Sequence, residues 1–97
     1  YARSFIRERL RLQPKGAYAL KMELRQKGVP EQVIAEVLAE TQIDEVADAV
    51  AWIVRKTRGR CPTEEKEKKR LYAFLQRKGY HWDVIAEAFR LAEGREV

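Results

Sequence analysis

The sequence predicts an all-α fold built from tandem three-helix units, about six helices in all, and three observations lead there. Apolar residues recur at helical spacing along most of the chain, and no stretch alternates with period two for long enough to be a strand. Charged residues make up 36% of the 97 positions and apolar ones 45%, a mixture typical of amphipathic helices rather than of buried sheets. One pattern also occurs twice, since Leu20 to Leu38 is a diluted copy of Arg70 to Phe89. Placing Gly28 on Gly79 pairs Leu20 with Leu71, Leu24 with Leu75 and Lys27 with Lys78. The same register pairs Val33, Ile34, Ala35 and Glu36 with Val84, Ile85, Ala86 and Glu87. A stop glycine kept in step with the next helix's apolar pair marks a duplicated structural unit.

Taken in order, residues 1–12 place Ala2, Phe5, Ile6 and Leu10 on one helix face, and Gln13-Pro14-Lys15-Gly16 breaks that helix. A second helix, from about Gly16 to Lys27, buries Ala17, Leu20 and Leu24 and stops at Lys27-Gly28. Pro30 suits the first position of a third helix, where Glu31 complements the dipole and Val33, Ile34, Val37 and Leu38 form the apolar stripe. Thr41 to Asp44 has capping-box spacing for a fourth helix running to about Thr57, with Val46, Ala49, Val50, Ile53 and Val54 inward. Trp52 corresponds to Phe5 when Ala49 is matched to Ala2. The loop from Arg58 to Thr63 ends in an expected N-cap, Thr63, with Glu64 and Glu65 in the first turn of helix five. That helix buries Leu71, Phe74 and Leu75 and ends at Lys78-Gly79. The sixth, from about Trp82, buries Val84, Ile85, Ala88 and Phe89 and is closed by Gly94. The expected units are residues 1–40 and 41–97, and the chain, opening at Tyr1 inside a helical pattern, reads as the C-terminal part of a longer protein.

The inventory argues against catalysis. With one histidine (His81), one cysteine (Cys61) and one serine (Ser4), neither a hydrolytic triad nor a His/Cys metal cluster can be assembled. The glycines are isolated stop signals rather than a phosphate loop, so no cofactor, metal or small-molecule substrate is implied. A single cysteine excludes an internal disulfide and fits a reducing, cytoplasmic compartment. No run of eighteen apolar residues exists to span a membrane.

The net charge of +5 points to a polyanionic partner or an acidic protein surface. It is spread along the chain, with 8 basic against 5 acidic residues up to Glu40 and 12 against 10 after it. Three groups of cations carry it. Arg3, Arg7 and Arg11 form a stripe on helix one, with Arg9 beside it. Lys21, Arg25 and Lys27 on helix two have a counterpart in Arg70, Arg77 and Lys78 on helix five. Arg55, Lys56, Arg58 and Arg60 mark the exit of helix four. Ordinary solvated helix surface would explain any single one of them, but two groups recur in equivalent helices of the two units. Tyr72, Tyr80 and Trp82 around Gly79 read as packing at the turn rather than as stacking platforms. A duplex-reading helix-turn-helix is disfavoured, because helix three opens Pro30-Glu31-Gln32 and helix six Trp82-Asp83, acidic where phosphates would lie.

At Gly79 the chain resembles the RecX family, bacterial regulators of the RecA recombinase. Arg70, Leu71, Tyr72, Phe74, Leu75, Arg77, Lys78, Gly79, Tyr80, Asp83 and Ile85 fall on that family's C-terminal signature. Ala2, Phe5, Ile6, Glu23-Leu24, Lys27-Gly28-Val29 and Ile34 are similar to its middle repeat. Ala73 stands where a basic residue is common, and Gln13-Pro14-Lys15-Gly16 replaces a Gly-x-Gly-Pro turn. The resemblance implies an elongated, curved array of three-helix repeats lying in the groove of the RecA–single-stranded-DNA filament. There the family limits filament growth and damps recombinase, ATPase and coprotease activities. The thirteen cations of the three groups, Arg9 aside, are the expected contacts to RecA or to the DNA backbone. Set against this is an autonomous basic helical module that binds nucleic acid by itself.

Overall fold

The computed structural model describes residues 1–59 and 64–94. It contains six helices: α1 (Ala2–Leu12), α2 (Ala17–Gln26), α3 (Glu31–Glu40), α4 (Glu45–Thr57), α5 (Glu65–Arg77) and α6 (Trp82–Gly94). They form two apolar cores. Ala2, Ile6, Leu20, Leu24, Ile34 and Val37 bury the first, between α1, α2 and α3. Ala49, Trp52, Ile53, Leu71, Leu75, Tyr80, Ile85, Ala88 and Ala92 bury the second, between α4, α5 and α6. The tandem is elongated, with principal extents of 43 × 21 × 21 Å.

The repeated stop signal folds the same way twice. Gly28 (φ 82°) and Gly79 (φ 93°) take the left-handed conformation that a side chain resists. Around Gly28, Val29 N–H donates to Leu24 C=O at 3.1 Å and Gly28 N–H to Arg25 C=O at 3.0 Å. Around Gly79 the equivalent bonds run from Tyr80 to Leu75 at 3.2 Å and from Gly79 to Gln76 at 3.0 Å. Each is a Schellman closure, with the residue after the glycine packing back onto the core leucine. This explains why Tyr80 is buried and not merely part of the turn.

Some local expectations shift. Thr41 does not cap α4; its N–H and hydroxyl both bond Val37 C=O, at 3.1 and 2.8 Å, so it finishes α3. Asp44 is the cap instead, its carboxylate accepting from Ala47 N–H at 3.0 Å. Pro30 sits one place earlier than expected, as the extended N-cap residue of α3. Val33 is 37% exposed, because only the Ile34 and Val37 side of α3 meets the first core. Phe74 is half-buried. The expected Thr63 cap lies outside the described residues.

The two cores meet through backbone. Gly16 N–H donates to Lys78 C=O at 2.8 Å, so the α1–α2 turn lies against the α5–α6 turn. A Cβ on Gly16 would stand 2.2 Å from Gly79 O, and one on Gly79 2.5 Å from Ala19 Cβ. Two further bonds cross the junction: Trp52 Nε1–H to Pro14 C=O at 2.7 Å, and Ala17 N–H to Glu45 Oε1 at 2.7 Å. The latter brings a carboxylate from α4 to the N-terminus of α2, where the helix dipole favours it.

Candidate functional site

The junction gathers cations around aromatic rings. Arg9 Cζ lies 5.0 Å and Lys27 Nζ 5.5 Å from the Phe5 ring centroid. In the second unit Arg55 Cζ lies 4.7 Å and Lys78 Nζ 4.8 Å from the Trp52 ring. Phe5 corresponds to Trp52 and Lys27 to Lys78 by repeat register, so the lysine–ring contact is duplicated along with the fold, whereas Arg9 and Arg55 reach the rings from non-equivalent positions. Lys56 Nζ lies 4.5 Å and Lys78 Nζ 5.4 Å from Phe74, whose ring meets Trp52 at 70° with centroids 5.1 Å apart.

The two units differ in how this charge is balanced. In the repeat register Phe74 stands where the first unit has Glu23. Glu23 lies 3.5 Å from Arg9 and is bonded to Lys15, so a carboxylate neutralises the first unit's cluster. At the matching place the second unit offers a ring. Burial, then the nearby Lys15 and Lys56 charges, pull the Lys78 ammonium below the usual lysine range, against a smaller opposing pull from Glu23. An added anion would favour the charged form of this half-buried ammonium.

The other expected cations fall into distinct settings. Arg3 forms a two-pronged ion pair with Glu40, at 2.8 and 3.0 Å, tying the start of α1 to the end of α3. That bond holds the Glu40 carboxyl below the usual carboxylate range. Arg7 lies beside this pair on a small cleft lined also by Leu10 and Thr41. Arg25 is bonded to Glu31, whose carboxyl it holds down, with Lys21 adding a smaller pull. Arg11 is exposed in the last turn of α1, and Arg58 is an exposed left-handed C-cap (φ 55°) on α4. Arg60 lies outside the described residues. Arg70 and Arg77 are exposed on one stripe of α5 and, with Lys56, edge a 530 Å³ cleft between α4 and α5. Leu71, Ala73 and Phe74 line it, with Thr57 and Glu67.

The structure therefore brings Arg55, Lys56, Arg70, Arg77 and Lys78 together around Trp52 and Phe74. It diverts Arg3 and Arg25 into ion pairs within the first unit. Lys15 and Glu23 were missed as site residues, since Lys15 reads only as part of a helix-breaking turn. The repeat register is the signal that picks out Glu23, by setting it opposite Phe74; no such signal marks Lys15. Trp82, by contrast, is 62% exposed and does not pack at the turn as expected.

Among the described residues, no group of three or more His, Cys, Asp or Glu side chains is placed to hold a metal ion. No helix among them is long and apolar enough to cross a membrane. An elongated tandem of three-helix units is a helical-repeat architecture. Comparison with known proteins specifies which kind. The chain belongs to the RecX family: its second three-helix domain matches residues 1–38 and its third matches residues 43–89. Proteins named Regulatory protein RecX are among its relatives. The one from Prosthecochloris aestuarii is 36% identical over 87 residues, 90% of this chain and 56% of the relative. That from Chlorobaculum tepidum is 30% identical over 96 residues, covering 99% and 59%. That from Thermus thermophilus is 38% identical over 93 residues, covering 96% and 58%. The chain thus spans a little over half the length of these curated relatives. No solved structure matches it.

Proposed function

We propose that this chain is the RecA-engaging part of a recombination regulator, binding the RecA–single-stranded-DNA filament in the cytoplasm and limiting its growth. Recombinase, ATPase and coprotease activities of the filament would fall as a consequence. The observation that carries this reading is the match of two consecutive RecX three-helix domains to 1–38 and 43–89. The physical form is compatible with it. An elongated body can touch several protomers along a filament, and residues 1–40 and 41–97 would serve as its two contacting units. Cations at Lys56, Arg70, Arg77 and Lys78 complement acidic protein or a phosphate backbone. Inhibition then comes from bridging or blocking protomers and requires no catalysis.

Binding of the 97-residue chain to preformed filament and to bare single-stranded DNA, across a salt series, tests the reading. Preference for filament, with a shallow salt slope on bare DNA, is expected. A steep slope on bare DNA without preference for filament points instead to an autonomous nucleic-acid binder. A RecA ATPase and strand-exchange assay completes the test, and unchanged rates at saturating protein would sink the proposal.

A further inference from the structure

The cleft between α4 and α5 among the described residues is larger than those beside Arg7 and beside Arg9, and its charge is less balanced. It measures 530 Å³ and carries Lys56, Arg70 and Arg77 at its edge, with Leu71, Ala73 and Phe74 along its apolar part. Glu67 is the acidic residue lining it. We propose that this cleft is a docking site for an acidic peptide segment of a partner protein, its carboxylates held by Lys56, Arg70 and Arg77 and an aliphatic side chain laid on Leu71, Ala73 and Phe74. This deepens the filament-binding reading by assigning the cleft to protein rather than to DNA, and it rests on that reading only for the source of the peptide.

Three features select a peptide over a nucleic acid strand. Single-strand binding sites gain much of their affinity from bases stacked on open aromatic faces. Phe74 already carries Lys56 and Lys78 ammonium groups over its ring, and Trp52 packs against it at 70°. A base would have to displace a cation to stack there. Secondly, the apolar part is aliphatic and small: Leu71 is buried, and Ala73 leaves room where a longer residue would close the cleft. That shape suits a branched aliphatic side chain. Finally, two planar guanidinium forks on one α5 stripe, at i and i+7 with Phe74 between them, can each take a carboxylate in two-pronged fashion. An anion arriving beside Lys56 also offsets part of the lowering that burial, then the Lys15 and Lys56 charges, impose on Lys78.

The test uses fluorescence polarisation with a short labelled peptide alternating Glu and Leu, its Gln-for-Glu counterpart, and an oligothymidylate of matching length. The wild-type chain should bind the Glu peptide roughly ten-fold or more tightly than the Gln peptide. Arg70→Glu combined with Arg77→Glu should abolish that binding. Ala73→Trp, which adds bulk and no charge, should weaken it by about ten-fold or more, whereas Gln32→Glu on the exposed side of α3 should leave it unchanged. Amide shifts of the wild-type chain on adding the Glu peptide should concentrate in residues 70–77, a readout that needs no variant to fold. The proposal is overturned if the Glu peptide binds no better than the Gln peptide, or if its shifts fall elsewhere. It is equally overturned if oligothymidylate binds more tightly and is lost in the same variants, because the cleft then serves DNA. Filament pelleting separates the two readings. Peptide binding without filament binding keeps the cleft and removes the RecA reading; filament binding that survives all three α5 substitutions does the reverse.

Discussion

Gly16→Ala should damage this protein far more than the loss of one hydrogen atom suggests, and it should do so at the junction between the two cores. The backbone of Gly16 (φ −67°, ψ 157°) suits any residue, so conformational strain is not the obstacle. Space is the obstacle: the new methyl carbon would stand 2.2 Å from Gly79 O and 2.5 Å from Gly79 C. Gly79 cannot retreat freely, because the Schellman closure of α5 holds it through bonds of 3.0 and 3.2 Å. Relief therefore means pushing the α1–α2 turn off the α5–α6 turn and losing the 2.8 Å bond from Gly16 N–H to Lys78 C=O. Overpacking of this kind costs ~1–3 kcal/mol. The lost bond adds ~0.5–1.5 kcal/mol, and the lower entropy of the unfolded alanine chain returns ~0.4–1 kcal/mol. A net loss of about 2–3 kcal/mol would lower Tm by roughly 10–20 °C in a domain of this size. Gly28→Ala is the control, since a Cβ there meets nothing within 4 Å and only the φ of +82° is strained, costing ~1–2 kcal/mol. Guanidinium titrations followed by helicity and by Trp52 fluorescence, in a Trp82→Phe background, distinguish the two. In Gly16→Ala the fluorescence should change before helicity does, as Trp52 loses Pro14. In Gly28→Ala the probes should stay coincident. A Gly16→Ala protein within about 0.5 kcal/mol of wild type, with coincident probes, would refute the steric reading of the junction.

Three further outcomes follow from the same packing. Trp52→Phe keeps most of the ring but strands the buried Pro14 carbonyl that now accepts at 2.7 Å, so unfolding free energy should drop by ~1–3 kcal/mol in a denaturant titration. Leu75→Ala, at a fully buried position in the second core, should cost ~2–5 kcal/mol, and a value under about 1 kcal/mol would contradict the packing. On acidification, the carboxyls of Glu31, Glu40, Asp83 and Glu87 are all held below their ordinary range, chiefly by side-chain hydrogen bonds from Arg25, Arg3, His81 and Arg90. A folded-state value below the unfolded one means stability that is complete above the ordinary carboxylate range and lost as pH falls through the depressed values. Thermal melts should therefore be level from pH 7 to about pH 5 and fall below it, less steeply in high salt because these pairs are exposed. A melting temperature that holds level down to about pH 3 at low salt would show the pairs contribute nothing.

How far the site could be read before folding varies residue by residue. Lys78 is legible as a candidate because it matches Lys27 in the repeat register, helical spacing alone puts Arg70 and Arg77 on one stripe, and Arg55 and Lys56 stand out only as neighbours at the exit of helix four. Arg3 and Arg25 looked equivalent to them, yet Glu40 and Glu31 engage them. Arg3 and Glu40 are separated by 37 positions, and no local pattern announces their meeting. Lys15 was hidden for the same reason: its partner Glu23 lies one helix on, across a turn whose path depends on what it packs against.

The sequence by itself determined the six helices, their stop glycines and the duplication, since these depend on i to i+4 bonding, left-handed geometry and a face-by-face apolar pattern. It also carried the family, through residues that recur in both units. Its capping-box reading at Thr41 failed where two local options compete, because Thr41 bonds back to Val37 and leaves Asp44 to start α4. Only the tertiary structure decided that Gly16 must be glycine for want of space rather than for conformation, a fact set by a turn 63 residues away at Gly79. It alone decided that Trp52 donates to Pro14 and that Glu23 neutralises one cluster while Phe74 leaves its counterpart charged. Such relations are set by how two cores are pressed together, and close approach between distant backbones leaves no periodic trace in the chain.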